Sequence, residues 1–183
     1  MHPLAQPTAQ PTTRPWIACA LVLAGAFAAP LAQAQAAAYG LHYGKGRDTQ
    51  RLTLNTESAP VWSTPLGIGR LDLTRELGVA YWHAERGAGS RNMLQLNAIP
   101  MFRWWATDRI YLEGGIGLTL LSTTRFAGRE LSTAFQFGDH LGLGFQLTPQ
   151  TRLGARISHF SNGSIKSPNA GLDVNQITLT HSY

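Results

Sequence analysis

From Tyr39 onward, apolar residues recur at every second position, in runs broken by short clusters rich in polar residues, Gly and Pro. A period of two is the pattern of a β-strand with unlike faces, and no stretch of this region carries a helical period. The pattern predicts eight strands. The first begins at Tyr39–Gly44, and the second covers Thr49–Val61, with Leu52 and Leu54 facing away from Arg51, Thr53 and Asn55. The third runs from Ile68 to His83, with Leu71, Leu73, Leu77, Val79 and Tyr81 opposite Asp72, Thr74, Glu76, Gly78 and Ala80. Arg75 breaks the apolar series there, for no reason the pattern supplies. The fourth strand spans Asn92–Trp104, and the fifth sets Ile110, Leu112, Ile116, Leu118 and Leu120 against Glu113, Gly115, Gly117 and Thr119. The sixth has Phe135, Phe137, Leu141, Leu143, Phe145 and Leu147 on one face, interrupted by Asp139. The seventh rises through Leu153, Ala155 and Ile157 to His159, and the eighth runs from Leu172 to Tyr183.

The connections fall into two classes. Ser63-Thr64-Pro65, Ala106-Thr107-Asp108 and Thr148-Pro149-Gln150 read as short turns, whereas the alternate connections are mostly longer and more polar. That asymmetry suits an outer-membrane barrel with short periplasmic turns and longer outer loops. One apolar face and one small or polar face also fit a wall between lipid and a narrow lumen. A soluble β-sandwich or lipocalin-like barrel alternates as well, but points its apolar face inward and needs few glycines opposite it. Trp62, Trp82, Trp104 and Trp105 fall near strand ends, where an interfacial girdle is expected, and the chain ends on an aromatic residue, Tyr183. The expected fold is therefore all-β, an eight-stranded antiparallel outer-membrane barrel spanning residues 35–183.

Composition adds the address. The chain has 183 residues, a net charge of +5 and 19 glycines. Arg14 precedes an apolar stretch, Trp16 to Ala29, followed by Ala32-Gln33-Ala34. This is the layout of a secretory signal peptide, residues 1–34, with cleavage after Ala34 fitting best and after Ala36 second. Cys19, the single cysteine, lies inside that segment, so the mature chain would have no thiol chemistry. Removing residues 1–34 takes away Arg14 and no acid, leaving a charge of +4. A balance of that size does not choose between lipid phosphate and nucleic acid.

The candidate chemistry lies where the seventh strand ends. His159 and Ser161 share a face, their Cα atoms roughly 7 Å apart. Asp173, at the start of the next strand, could return beside His159, which would supply nucleophile, base and orienting carboxylate. From spacing alone, the ordinary reading of such a His and Ser is a wetted pair at a barrel rim. The full pattern is more specific. His159-x-Ser161-Asn162 followed by Pro168-Asn169-x-Gly171-x-Asp173 closely resembles the signature of the PagL family, the outer-membrane lipid A 3-O-deacylases. One departure stands out: a known member of that family carries Glu at the place of Asp173. The resemblance implies Ser161 as nucleophile, His159 as base and Asp173 as orienting acid. It also implies an oxyanion hole from the Asn169 side chain and the backbone near Gly163, with Asn162 bracing the strand end. For Asn169 the alternative is a turn residue after Pro168.

Phase and topology then place the site. The face carrying His159 and Ser161 is apolar below them, so it faces lipid, and Arg152 and Arg156 face the lumen, where Glu113, Asp72 or Glu76 could pair with them. With both chain ends periplasmic, His159 and Ser161 lie toward the outer leaflet, whose Gram-negative lipid is lipopolysaccharide. The implied partners are lipid A and outer-membrane lipids rather than nucleic acid, with no cofactor and no metal; the oligomeric state is open, a homodimer included. Lys45, Arg47, Arg86, Arg91, Arg125, Arg129 and Lys166 sit on or beside outer loops and could meet lipid A phosphates or stay solvated. The His42, His83 and His140 set lacks metal-ligand spacing. Gly114-Gly115-Ile116-Gly117 precedes no helix and is no phosphate loop. Two rivals remain: a structural, adhesin-type or pore-forming barrel without enzymatic activity, and a barrel phospholipase or acyltransferase.

Overall fold

The computed structural model describes residues 36–183, so the expected signal peptide lies outside the described residues. The strands are β1 (Ala36–Gly46), β2 (Thr49–Ser58), β3 (Trp62–Pro65), β4 (Arg70–Ala84), β5 (Asn92–Trp105), β6 (Ile110–Leu121), β7 (Arg125–Phe126), β8 (Arg129–Glu130), β9 (Phe135–Gln146), β10 (Thr151–Ser161) and β11 (Leu172–Ser182). Eight of them form one antiparallel sheet in the order β2-β1-β11-β10-β9-β6-β5-β4, and β4 pairs back onto β2. These eight strands close on themselves, so none of them ends the sheet as a free edge in a medium that offers no hydrogen bonds.

The apolar face points outward. Leu54 is 64% exposed, Leu141 62% and Ile177 57%, each on a strand whose alternate residues are buried. A water-soluble barrel would bury these side chains, so the wall is built for lipid and the protein is an outer-membrane barrel. Glycines sit on the inner face because the lumen is tight: a Cβ on Gly144 would lie 2.2 Å from the Tyr111 ring.

The lumen is filled rather than open. Arg103 donates to Glu57 (2.8 and 2.9 Å) and to Glu113 (2.9 Å), Arg152 donates to Glu57 (2.8 Å), and Arg156 bridges Glu76 (2.8 Å) and Glu113 (2.6 Å). Higher up, Arg51 lies against the rings of Trp82 and Phe160 and bonds Gln95 (3.1 Å) and Gln176 (2.5 Å). At the outer end, Trp82, Met93, Phe126, Leu131, Phe160 and Leu172 form an apolar plug.

Several expectations need correction. Ser63-Thr64-Pro65 is no bare turn: Trp62–Pro65 is a strand, β3, that folds back on β4, with Trp62 opposite Leu73. The β2–β4 connection is therefore the longer one, and the first outer loop is a tight turn at Arg47-Asp48, Asp48 having φ 59°. Trp82 is not in a girdle; its even position on β4 turns it into the lumen, fully buried, with its indole N–H on Gln95. Asp72 pairs with Arg70 (2.9 Å), and Glu57, which the strand pattern did not single out, takes its place opposite Arg152. Arg75 stands where β2 leaves the ladder, and its backbone N–H donates to the Ser58 hydroxyl (3.0 Å). The loop carrying Arg125, Arg129 and Glu130 contains a small hairpin, β7–β8.

Arg156 is buried between two carboxylates, so Arg156→Ala leaves both Glu76 and Glu113 unpaired. The expected loss is about 3–5 kcal/mol, read as a lower urea midpoint of the barrel in detergent micelles. An unchanged midpoint would show that the lumen network does not hold the barrel together.

Candidate active site on the lipid-facing wall

β10 and β11 form a hairpin whose register sets Phe160 opposite Leu172 and His159 opposite Asp173. Opposed side chains on one face have Cβ atoms about 4.5–5.5 Å apart, close enough for a carboxylate to reach an imidazole. His159 Nδ1 and Asp173 Oδ1 are 2.7 Å apart. An ionised carboxylate only accepts, so Nδ1 carries the proton and Nε2 is free to accept one. A general base needs that tautomer. The shorter acid therefore reaches the imidazole directly.

Ser161 is the last residue of β10, half-buried, on the same outward face as His159. Its hydroxyl makes no hydrogen bond to His159. The structure thus joins His159 to Asp173 and places Ser161 beside them without closing the second bond.

The loop at residues 162–171 is held from two sides. The Asn162 N–H donates to Asn169 Oδ1 (3.1 Å), which leaves the Asn169 NH₂ as a free donor over the strand end. The fully buried Asn162 side chain donates to Lys166 O (2.7 Å) and Leu131 O (3.3 Å), tying this loop to the one before β9. Ser132 donates to Pro168 O (2.6 Å), and Arg129 to Gly171 O (3.4 Å). Gly163 has φ 61°, lies beside the Phe137 ring, and has an N–H engaged by no other backbone group among the described residues. The Asn162 side chain thus ties two loops together, and the Asn169 NH₂ and the Gly163 N–H are donors left without a partner among the described residues.

Three further contributors surround the site. Gly171 has φ 63°, and a Cβ there would lie 2.8 Å from His159 Cε1 and 3.4 Å from Nε2, so only glycine lets the chain pass this edge of the ring. The 122–134 loop supplies the props just described, and its Phe126 and Leu131 enter the plug beneath the site. Asp139, visible in sequence as a break in an apolar face, stands directly opposite His159 on the β9 side. A groove in the wall contains Asp139, His159 and Asp173 and continues through Leu141 and Ile157 into an apolar groove over Ala155, between Leu143 and Ile177.

Among the basic loop residues, Arg91 caps the carbonyls of Ala84 and Glu85, and Arg125 pairs with Glu130 (2.8 Å). Lys45, Arg47, Arg86 and Lys166 make no side-chain hydrogen bond or ion pair among the described residues. A second His–Ser pair, His140 and Ser158 at 2.7 Å, lies on the lumen face with Gln176 on the same hydroxyl, closed off from lipid.

Fold and site define a class: an eight-stranded outer-membrane β-barrel that carries a Ser, His and Asp together on its lipid-facing wall. The family profile described as "Lipid A 3-O-deacylase (PagL)" matches residues 38–182, and the chain belongs to that family. It is 52% identical to lipid A deacylase PagL of Bordetella bronchiseptica over 162 residues, which cover 86% of this chain and 91% of that protein. It is 31% identical to the Pseudomonas aeruginosa protein of the same name over 159 residues, covering 83% and 90%. The crystal structure of the outer membrane enzyme PagL superposes with a TM-score of 0.73 at 24% identity, covering 80% of this chain and all of that one, which supports the fold.

The Gly171 contact yields a test. Gly171→Ala drives a methyl group into the His159 ring; with His159 as the base, activity is expected to fall by about 10²-fold, because small displacements of a catalytic group cost that much. The barrel should still fold, since the site lies on its outer wall; normal activity in this variant would mean the ring is free to move away.

Proposed function

We propose that the chain is a lipid A 3-O-deacylase of the serine type. The observation that carries this reading is the His159–Asp173 hydrogen bond on a lipid-facing wall, one alternation below Ser161. Family membership supplies the substrate: the ester at the 3-position of lipid A. The outer end of β10 would then meet lipopolysaccharide by lateral diffusion, with the acyl chain lying in the groove over Ala155. Lys45, Arg47, Arg86 and Lys166 are the cations left for the phosphates.

Ser161 Oγ attacks the acyl carbonyl while His159 Nε2 takes its proton. Asp173 holds the ring and stabilises the imidazolium. The Asn169 NH₂ and the Gly163 N–H donate to the oxyanion, each worth about 10²–10³ in rate. Collapse expels the sugar 3-hydroxyl, which receives the proton from His159. Water, deprotonated by His159, then releases the fatty acid from Ser161.

Mass spectrometry of lipid A from cells with and without the protein tests this directly. The expected result is loss of one ester-linked acyl chain with wild type, and none with Ser161→Ala or His159→Asn, although both barrels assemble. No loss with wild type would favour a non-enzymatic barrel, although the filled lumen already argues against a pore. A gain of mass, or phospholipid breakdown instead, would favour the acyltransferase or phospholipase.

The orienting acid has its own test. Asp173→Glu should keep activity within about tenfold, equivalent to about 1.4 kcal/mol, because the added methylene only asks the loop to shift. Full activity in Asp173→Ala would remove Asp173 from the triad.

A further inference from the structure

Asp139 is the residue that the deacylation chemistry leaves unused. It stands on the outward face of β9 between Phe137 and Leu141, the one charged residue on that face of the strand. A carboxylate facing lipid is costly and marks a functional position by default. The β9–β10 register sets Asp139 directly opposite His159, and the β10–β11 register sets Asp173 opposite His159 from the other side. The imidazole is thus the centre of a row across three strands, and all three side chains line one groove. Asp173 holds Nδ1 at 2.7 Å. Asp139 makes no hydrogen bond and no ion pair among the described residues. Its neighbour on β6 is Ile116, which offers no competing charge.

We propose that Asp139 is a positioning residue of the catalytic base, a second carboxylate that stabilises the His159 imidazolium through space from the side opposite Asp173. The proposal rests on the Ser161–His159–Asp173 reading. When His159 takes the Ser161 proton, its ring becomes a cation between two carboxylates. Directly opposed residues have Cβ atoms about 4.5–5.5 Å apart; from there a carboxylate attracts that cation more than the neutral ring, so the interaction grows toward the transition state. The same charge would oppose the oxyanion, but Asp139 lies level with His159, while Ser161 sits one alternation further out, opposite Phe137.

The test compares purified wild type with Asp139→Asn, Asp139→Leu, Asp139→Glu and Ser161→Ala on lipid A in detergent micelles, with β content checked by circular dichroism. Asp139→Asn and Asp139→Leu should lower kcat by about 10- to 100-fold with apparent KM within about twofold. Asp139→Glu should keep kcat within about threefold, since the charge is retained. An unchanged kcat in Asp139→Asn overturns the proposal, as does a loss carried by KM alone. A loss in Asp139→Glu as large as in Asp139→Asn does the same, because charge would then not be what matters. The underlying reading fails separately: activity in Ser161→Ala removes the triad, whereas a dead Ser161→Ala beside a fully active Asp139→Asn removes only the role of Asp139.

Discussion

A β-strand has two faces, and closing a sheet in a membrane gives those faces opposite surroundings. Every residue of β10 is thereby assigned to lumen or lipid by its parity alone. Arg152, Arg156 and Ser158 point into the lumen, and Ile157, His159 and Ser161 point out. A slip of one residue would put Arg156 into lipid and His159 into the plug, so the register of this strand is held by large penalties on both sides. The lumen charges supply one of them. Arg156 meets Glu76 and Glu113 only in the observed phase. The site on the wall therefore depends on an ion network that never touches it.

The same alternation gives the outward site a rigid base. Phe160 and Leu172 lie between the site residues in sequence and face the plug, where Phe160 packs edge-on to Trp82 (5.8 Å). His159, Ser161 and Asp173 thus stand on backbone whose inward side chains are locked. The loop before β9 reinforces this, with Leu131 in the plug and its carbonyl on the Asn162 amide. A hydrolase facing lipid has no enclosing cleft to fix its geometry, and here fixed backbone and cross-strand pairing take that part.

What could be read from the sequence follows from these periods. Strand number, lipid and lumen faces, and the pairing of Asp173 with His159 all depend on parity and local hairpin order, which a single chain displays. Contacts across the lumen do not. Glu57 meets Arg103 and Arg152 only because the barrel closes, and nothing local in β2 announces it. Trp82 was misplaced because proximity to a strand end outweighed its even position, and β3 was missed because a four-residue strand with Pro carries too short a pattern. Asp139 was visible as an exception, but its meaning needed the β9–β10 register. His140 and Ser158 show the opposite hazard: a bonded His–Ser pair buried on the lumen face, away from lipid.

The central claim is that Ser161 is a nucleophile activated by His159 on the lipid-facing wall. Covalent labelling measures this most directly: the folded barrel in micelles is treated with an alkyl fluorophosphonate, and the modified peptide is mapped by mass spectrometry. The account predicts one adduct, on Ser161, absent in His159→Asn and unaffected by Ser158→Ala. Labelling that is absent from wild type, falls on another residue, or persists at full rate in His159→Asn would contradict it.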